Sequence, residues 1–159
     1  MKKLKLGVVP IKRTFLPMEA AKAQKDEFMP VIRSIKSDYV EIIDVDELTE
    51  NGIAFTYDVI APIVKKLKDN EIDALFLPFC DFGEESVAAG IASAFKVPTL
   101  VWGPRDTEPN SDVTRGRDTQ CGIIAATKVL SRCGVKFSYI VNCPTQSEQF
   151  KNGFETFLR

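Results

Sequence analysis

Apolar residues alternate between two spacings along the chain. Short, nearly continuous runs cover Leu4–Val9, Val40–Val45, Ala74–Phe79, Thr99–Trp102 and Lys136–Val141. Each is bounded by charge, Pro, Gly or Asn, which is how strands covered on both faces read. Between them the apolar positions recur with helical spacing. Phe28, Ile32 and Ile35 mark one stripe, Val59, Ile60, Ile63, Val64 and Leu67 a second, and Val87, Ile91, Ala94 and Phe95 a third. Ile123, Ala126, Thr127 and Leu130 make a fourth, and Phe150, Phe154, Phe157 and Leu158 a fifth. Strand and helix alternate five times, which predicts an α/β, three-layer αβα sandwich of flavodoxin-like type. Its five-stranded parallel sheet is expected in the order 2-1-3-4-5. The alternation is regular, so one domain is expected over residues 1–159.

Prolines and small polar residues set the expected boundaries. Pro17 opens the first helix, which runs to about Lys36, and Pro30 predicts a kink or two pieces. On that helix Lys22, Lys25, Asp26 and Glu27 are expected to face water. Thr56 is the expected cap of the second helix, Tyr57–Asp69, where Pro62 predicts a distortion or a late start. Asn70 is expected to close it in the left-handed conformation. Glu84, Glu85 and Ser86 start the third helix, with acidic residues at the positive end of its dipole. Asp118 or Thr119 is expected to cap the fourth helix and Gly134 to stop it; Thr145 or Ser147 caps the fifth. The connection Gly103–Asp118 is long for a strand-to-helix loop, and such loops usually carry function.

Composition narrows the chemistry. With 159 residues, 45% hydrophobic, the chain is the size of one globular domain. Its formal net charge of −1 gives no electrostatic case for nucleic acid. A basic cluster, Lys2, Lys3, Lys5, Lys12 and Arg13, reads as solvated terminus and loop charge. No run approaches a membrane span and the start lacks a signal-peptide pattern, so a cytoplasmic protein is expected. The four cysteines, Cys80, Cys121, Cys133 and Cys143, show no CxxC spacing and read as reduced thiols. Histidine is absent, which removes the commonest general base and metal ligand.

Nucleotide signatures fail. There is no GxGxxG and no GxxxxGK[ST]. The loop Pro10–Pro17 also lacks the small-residue run that would wrap an FMN phosphate. The first strand ends in Val8-Val9-Pro10, without the acidic pair a Mg²⁺-dependent phosphoacceptor needs. The carboxyl ends of the strands are where open parallel sheets bind ligands. There Asp81, Glu84 and Glu85 form an acidic group; Glu85 reads as a first-turn helix residue, whereas Asp81 and Glu84 stay open between function and structure. Arg13, Trp102 and Arg105 suit an uncharged polyol: a planar fork of donors for hydroxyls and an aromatic plate for the C–H face of a sugar. The alternative buries Trp102 in the core and pairs Arg105 with Asp106 or Glu84.

Four stretches carry a family resemblance: LGVVPIKRTF, LPFCDFGEESVAAGIASAF, VPTLVWGPRD, and the pair DTQCGIIAATKVL with FSYIVNC. The sequence resembles the N-terminal domain of the L-fucose isomerase / L-arabinose isomerase superfamily. The resemblance implies a parent enzyme of several domains that interconverts aldoses and ketoses with Mn²⁺ and works as a homo-oligomer. It implies no cofactor in this chain, with the metal ligands and acid/base groups in later domains. Arg13 matches a loop arginine lent to a neighbouring subunit's sugar site. Where the pattern places a Trp, this chain has Cys80-Asp81-Phe82, so the aromatic platform is either replaced or moved to Phe82. The substrate-binding set is then Arg13, Phe82, Glu84, Trp102 and Arg105, with Glu84 and Arg105 touching the sugar or joined as an ion pair. The partners implied are a small sugar, the remaining domains and other subunits. The end at Arg159 in an apolar helix reads as the edge of a fragment inactive alone. Two other readings stand beside it: a stand-alone sugar-binding or regulatory module, and a metal-dependent hydrolase built on Asp81 and Glu84.

Overall fold

In a computed structural model, which describes residues 3–106 and 117–159, five parallel strands form one sheet. They are β1 (Leu4–Val8), β2 (Val40–Ile43), β3 (Ala74–Pro78), β4 (Thr99–Trp102) and β5 (Phe137–Tyr139), in the order β2-β1-β3-β4-β5. The expected order and class are those observed. Successive residues of β3 serve opposite faces, as the pleat requires. Ala74 and Phe76 join the core under α1 (Met18–Ser34) and α5 (Glu148–Phe157). Leu75 and Leu77 join the core under α2 (Ile60–Asp69), α3 (Glu85–Ala92) and α4 (Thr119–Arg132). All five residues of β3 and all four of β4 are buried, so neither strand carries the polar alternation of a half-solvated one.

The prolines act locally. Pro30 lies inside α1, which remains one helix rather than two pieces. Pro62 sits in the first turn of α2, where a missing N–H costs nothing. The residues ahead of it, Tyr57–Val59, form a 3₁₀ turn, which is the late start its position predicts. Gly134 ends α4 at φ +71°, and Ser147 caps α5 by accepting the Phe150 N–H at 3.2 Å.

Three expected caps are corrected. Thr56 makes no side-chain capping bond, and α2 itself begins after Val59. Asn70 is not left-handed: its φ is −88°, its side-chain amide donates to the Lys66 carbonyl, and Glu71 takes the positive φ. Neither Asp118 nor Thr119 caps α4 with its own side chain. The cap comes from Asp106, whose carboxylate accepts the Thr119 N–H at 2.9 Å and the Thr119 hydroxyl at 2.8 Å. A negative charge there also suits the helix dipole. Asn142, beyond β5, donates to the Gly103 and Pro104 carbonyls and to the Thr119 hydroxyl. The ends of β4, α4 and β5 are thus tied by one polar group of side chains.

Two lysines expected in water are buried. Lys25 on α1 donates to Asp46 and to the Asn51 carbonyl, each at 2.6 Å. Asn51 and Gly52 are both left-handed, and a Cβ on Gly52 would fall 2.3 Å from the Lys25 Nζ. Lys12 is the second, and it belongs to the site.

Candidate functional site

Beyond Val8 the first strand's path continues along the carboxyl edge. Ile11 donates to the Pro78 carbonyl and accepts from the Cys80 N–H, while Lys12 donates to the Ala54 carbonyl. These bonds lay residues 11–14 between the 53–55 segment and the end of β3. Asp81 follows, 2% exposed, and its Oδ1 accepts the Arg13 N–H at 2.7 Å and the Gly83 N–H at 2.8 Å. Gly83 is required there: its φ is +74°, and a Cβ would overlap the Phe79 ring at 2.2 Å.

The turn and the start of α3 bring Glu84 and Glu85 to the Arg13 side chain. Nη1 of Arg13 donates to Glu85 at 2.5 Å and, more loosely, to Glu84 and the Gly83 carbonyl at 3.4 Å each. Its guanidinium carbon lies 5.1 Å from the Phe82 ring centre and 5.5 Å from that of Phe15. Thr14 holds Glu84 from the other side, its hydroxyl 3.0 Å from both Glu84 Oε2 and the Phe55 carbonyl. Among the described residues every hydrogen bond of the guanidinium runs through Nη1. Nε and Nη2 keep their donors unspent among the described residues, and the side chain is partly open to solvent at 24%.

The expected set divides. Arg13, Phe82 and Glu84 are brought together. Trp102 is not with them: it is fully buried on the α1/α5 side, 6.0 Å edge-on from Phe28 and 4.2 Å from Phe150 between ring centres. As a sugar platform it is corrected to a core residue, because β4 enters the sheet with every side chain covered. Arg105 is exposed, and among the described residues its hydrogen bonds run through its backbone, to Cys143 and Arg117. The expected Glu84–Arg105 ion pair is replaced by Glu84–Arg13. Glu85, Thr14, Phe15 and Lys12 join the site although the sequence assigns none of them to it. The helix dipole accounts for Glu85 locally, and nothing near it in sequence shows a partner 72 positions away.

Asp81 answers the question left open for it. It holds backbone rather than facing solvent. Burial pushes its carboxyl above the ordinary range, and the Gly83 and Arg13 N–H groups, with the charges of Lys12 and Arg13, pull it part of the way back. The folded protein therefore holds this proton more tightly than the unfolded chain. The contribution is most favourable below the ordinary carboxylate range and is lost as pH rises through the folded-state value. Asp81→Asn keeps an acceptor for both N–H groups, and its advantage over wild type should grow across that window in denaturant titrations. Asp81→Ala orphans two buried donors and should cost about 1–3 kcal/mol for each. An Asn variant whose offset from wild type is flat in pH would contradict this account. The neighbouring Cys80 thiol is fully buried and, by desolvation above all, raised well above its usual range, which makes it a poor nucleophile.

A cleft of about 700 Å³ opens at the strands' amino ends, between Phe95–Thr99 and Cys133–Ser138, away from Arg13. Another, of about 600 Å³, follows the β5 edge beside Gln149 and Phe157.

Fold and site define a flavodoxin-like α/β domain whose carboxyl edge presents an arginine between two carboxylates and two phenyl rings, with no phosphate-binding loop. Residues 7–159 match the N-terminal domain of fucose/sulfoquinovose isomerase, and the chain belongs to that family. No curated protein matches the sequence significantly. Among solved structures, an azoreductase from Bacillus anthracis str. Sterne shares 12% identity over 97% of this chain and 96% of its own, with a TM-score of 0.36. An FMN-dependent NADH-azoreductase from Bacillus anthracis str. Ames Ancestor, in complex with FMN, shares 11% over 97% and 95%, with a TM-score of 0.33. Overlaps this loose carry no argument about activity. Among the described residues no helix is long and apolar enough to cross a membrane.

Proposed function

We propose that this chain is the substrate-side N-terminal domain of an aldose–ketose isomerase, and that Arg13 donates to hydroxyls of an uncharged sugar. One observation carries the reading: Nη1 is held by Glu84 and Glu85 while Nε and Nη2 remain unspent among the described residues. The held part orients the fork, and the unspent part offers two donors to a ligand. Two carboxylates beside one guanidinium leave the patch without net positive charge, which favours a neutral ligand over an anionic one. Phe82 and Phe15 supply the apolar walls against which the C–H face of a sugar stacks.

Among the described residues no group of three or more His, Cys, Asp or Glu side chains is placed to hold a metal ion. Asp81 is committed to backbone N–H groups and Glu84 to Arg13 and Thr14. These residues do not fit Mn²⁺, so in this reading the metal and the proton-transferring groups belong to protein outside this chain. The sugar then meets Arg13 at a boundary with another domain or subunit of a cytoplasmic oligomer.

Arg13→Ala in the native enzyme should raise KM for its sugar about 10–100-fold, the worth of a hydrogen bond from a charged donor, while the protein stays folded. Steady-state kinetics with L-fucose as first probe tests this. Unchanged KM and kcat would remove Arg13 from the substrate site.

A further inference from the structure

Lys12 has an environment unusual for a lysine. It is 2% exposed, and among the described residues no carboxylate forms a salt bridge with it. Its ammonium donates to the Arg13 carbonyl at 2.6 Å and more weakly to the Thr14 carbonyl at 3.4 Å. Its third side faces the Phe55 ring, 4.7 Å from the centre. Burying an ammonium costs several kcal/mol before such contacts offset it, and a methionine would fill a similar volume without that cost. The position therefore gains little stability from its charge. What the charge does is gather two consecutive carbonyls.

The second buried charge meets the same residue. Asp81, also 2% exposed, accepts the Arg13 N–H. Arg13 thus has its own donor fixed by a buried carboxylate and its own acceptor fixed by a buried ammonium. The Leu16 N–H adds a turn bond to the same carbonyl at 3.2 Å. Flanking loop residues are solvent-facing: Thr14 is exposed and Phe15 is 78% exposed. These contacts fix the two peptide units on either side of the Arg13 Cα.

We propose that Lys12 and Asp81 are positioning residues, a buried pair of opposite charges that clamps the Arg13 backbone and so sets the direction in which its unspent guanidinium donors meet a ligand. The proposal rests on the reading of Arg13 as a sugar-binding residue and deepens it. An arginine on an unclamped loop would lose backbone and side-chain freedom on binding, and each ordered group subtracts from affinity. With the backbone already fixed, that loss is taken during folding, and a small displacement of the clamp is felt at the donors.

The test separates positioning from stability. Lys12→Met should leave the melting temperature unchanged or raise it, because a buried charge is replaced by an apolar side chain of like volume. The same variant should raise KM for L-fucose at least about tenfold in the native enzyme with kcat nearly constant. Nitrogen-15 NMR of the 159-residue chain should show the Arg13 amide and its Nε–H losing order in Lys12→Met. If Arg13→Ala raises KM and Lys12→Met moves neither KM nor the Arg13 signals, the clamp is wrong and the sugar-binding reading stands. If Arg13→Ala is kinetically silent, the sugar-binding reading falls, and the NMR result alone decides the clamp. Should Lys12→Met fail to fold, wild-type hydrogen exchange decides: the clamp requires a protected Arg13 amide, and exchange at the rate of an open loop overturns it.

Discussion

Gly122→Ala is expected to destabilise the protein by about 2 kcal/mol or more and to displace the Phe82 turn. Two effects compete. Alanine inside a helix is intrinsically better than glycine by about 1 kcal/mol. Against that, a Cβ at Gly122 would lie 1.8 Å from the Phe82 carbonyl oxygen and 2.4 Å from its carbonyl carbon. Those are backbone atoms, so no rotamer change relieves the overlap. Either α4 or the 81–83 turn must move, and overpacking of this kind costs about 1–3 kcal/mol or more. The moving turn carries Phe82 and the Asp81 bonds to Arg13, so sugar affinity should fall with stability. Gly134→Ala is the control. Gly134 has positive φ but nothing within 4 Å of a Cβ, so it should show only backbone strain of about 1 kcal/mol and leave the site intact. Thermal melts of both variants check this, and a Gly122→Ala protein as stable as wild type would refute the close approach of α4 to the turn.

Trp102→Ala should cost about 3–5 kcal/mol, the range for emptying a large aromatic site in a core. Phe28, Phe76 and Phe150 all lie against the indole, with Phe150 4.2 Å away between ring centres. The side chain cannot be replaced by water there without an apolar cavity. Trp102→Phe should be much milder. It keeps most of the volume, and the Nε1–H, which has no hydrogen-bond partner among the described residues, leaves with the indole. A buried donor without a partner costs about 1–3 kcal/mol, so its removal offsets part of the lost packing. Chemical denaturation of the two variants gives the comparison. If Trp102→Phe lost as much stability as Trp102→Ala, the indole N–H would have a partner. If instead both kept full stability and sugar affinity dropped, Trp102 would be a platform after all.

The two central strands, β3 and β4, are readable because their burial is complete on both faces, whereas β2 and β5 at the sheet's edges are only partly covered. Ala74–Pro78 and Thr99–Trp102 lie where uninterrupted apolar runs put them. That same pattern marks Trp102 as core, since it ends a run with no polar alternation, whereas its chemistry alone suits a sugar platform. The Asp106 cap was hidden because it reaches α4 from 13 positions upstream, across a loop. Capping rules look only at neighbouring residues. Lys12 and Lys25 were hidden for a different reason. A charged residue defaults to solvent unless paired, and their partners are largely backbone carbonyls, which no side-chain pattern announces. Arg13 was legible as a candidate, but its ties to Glu84, Glu85 and Asp81 span about 70 positions and exist only after β1 and β3 lie side by side.

The Asp106 cap has a consequence for engineering. Its bonds to Thr119 fasten together the two ends of the stretch between them at 2.9 and 2.8 Å. Because the cap is supplied from just beyond β4 rather than from within α4, a change at Asp106 loosens the first turn of the helix without altering the helix's own sequence, and amide exchange at Thr119 becomes a readout of order at the carboxyl edge.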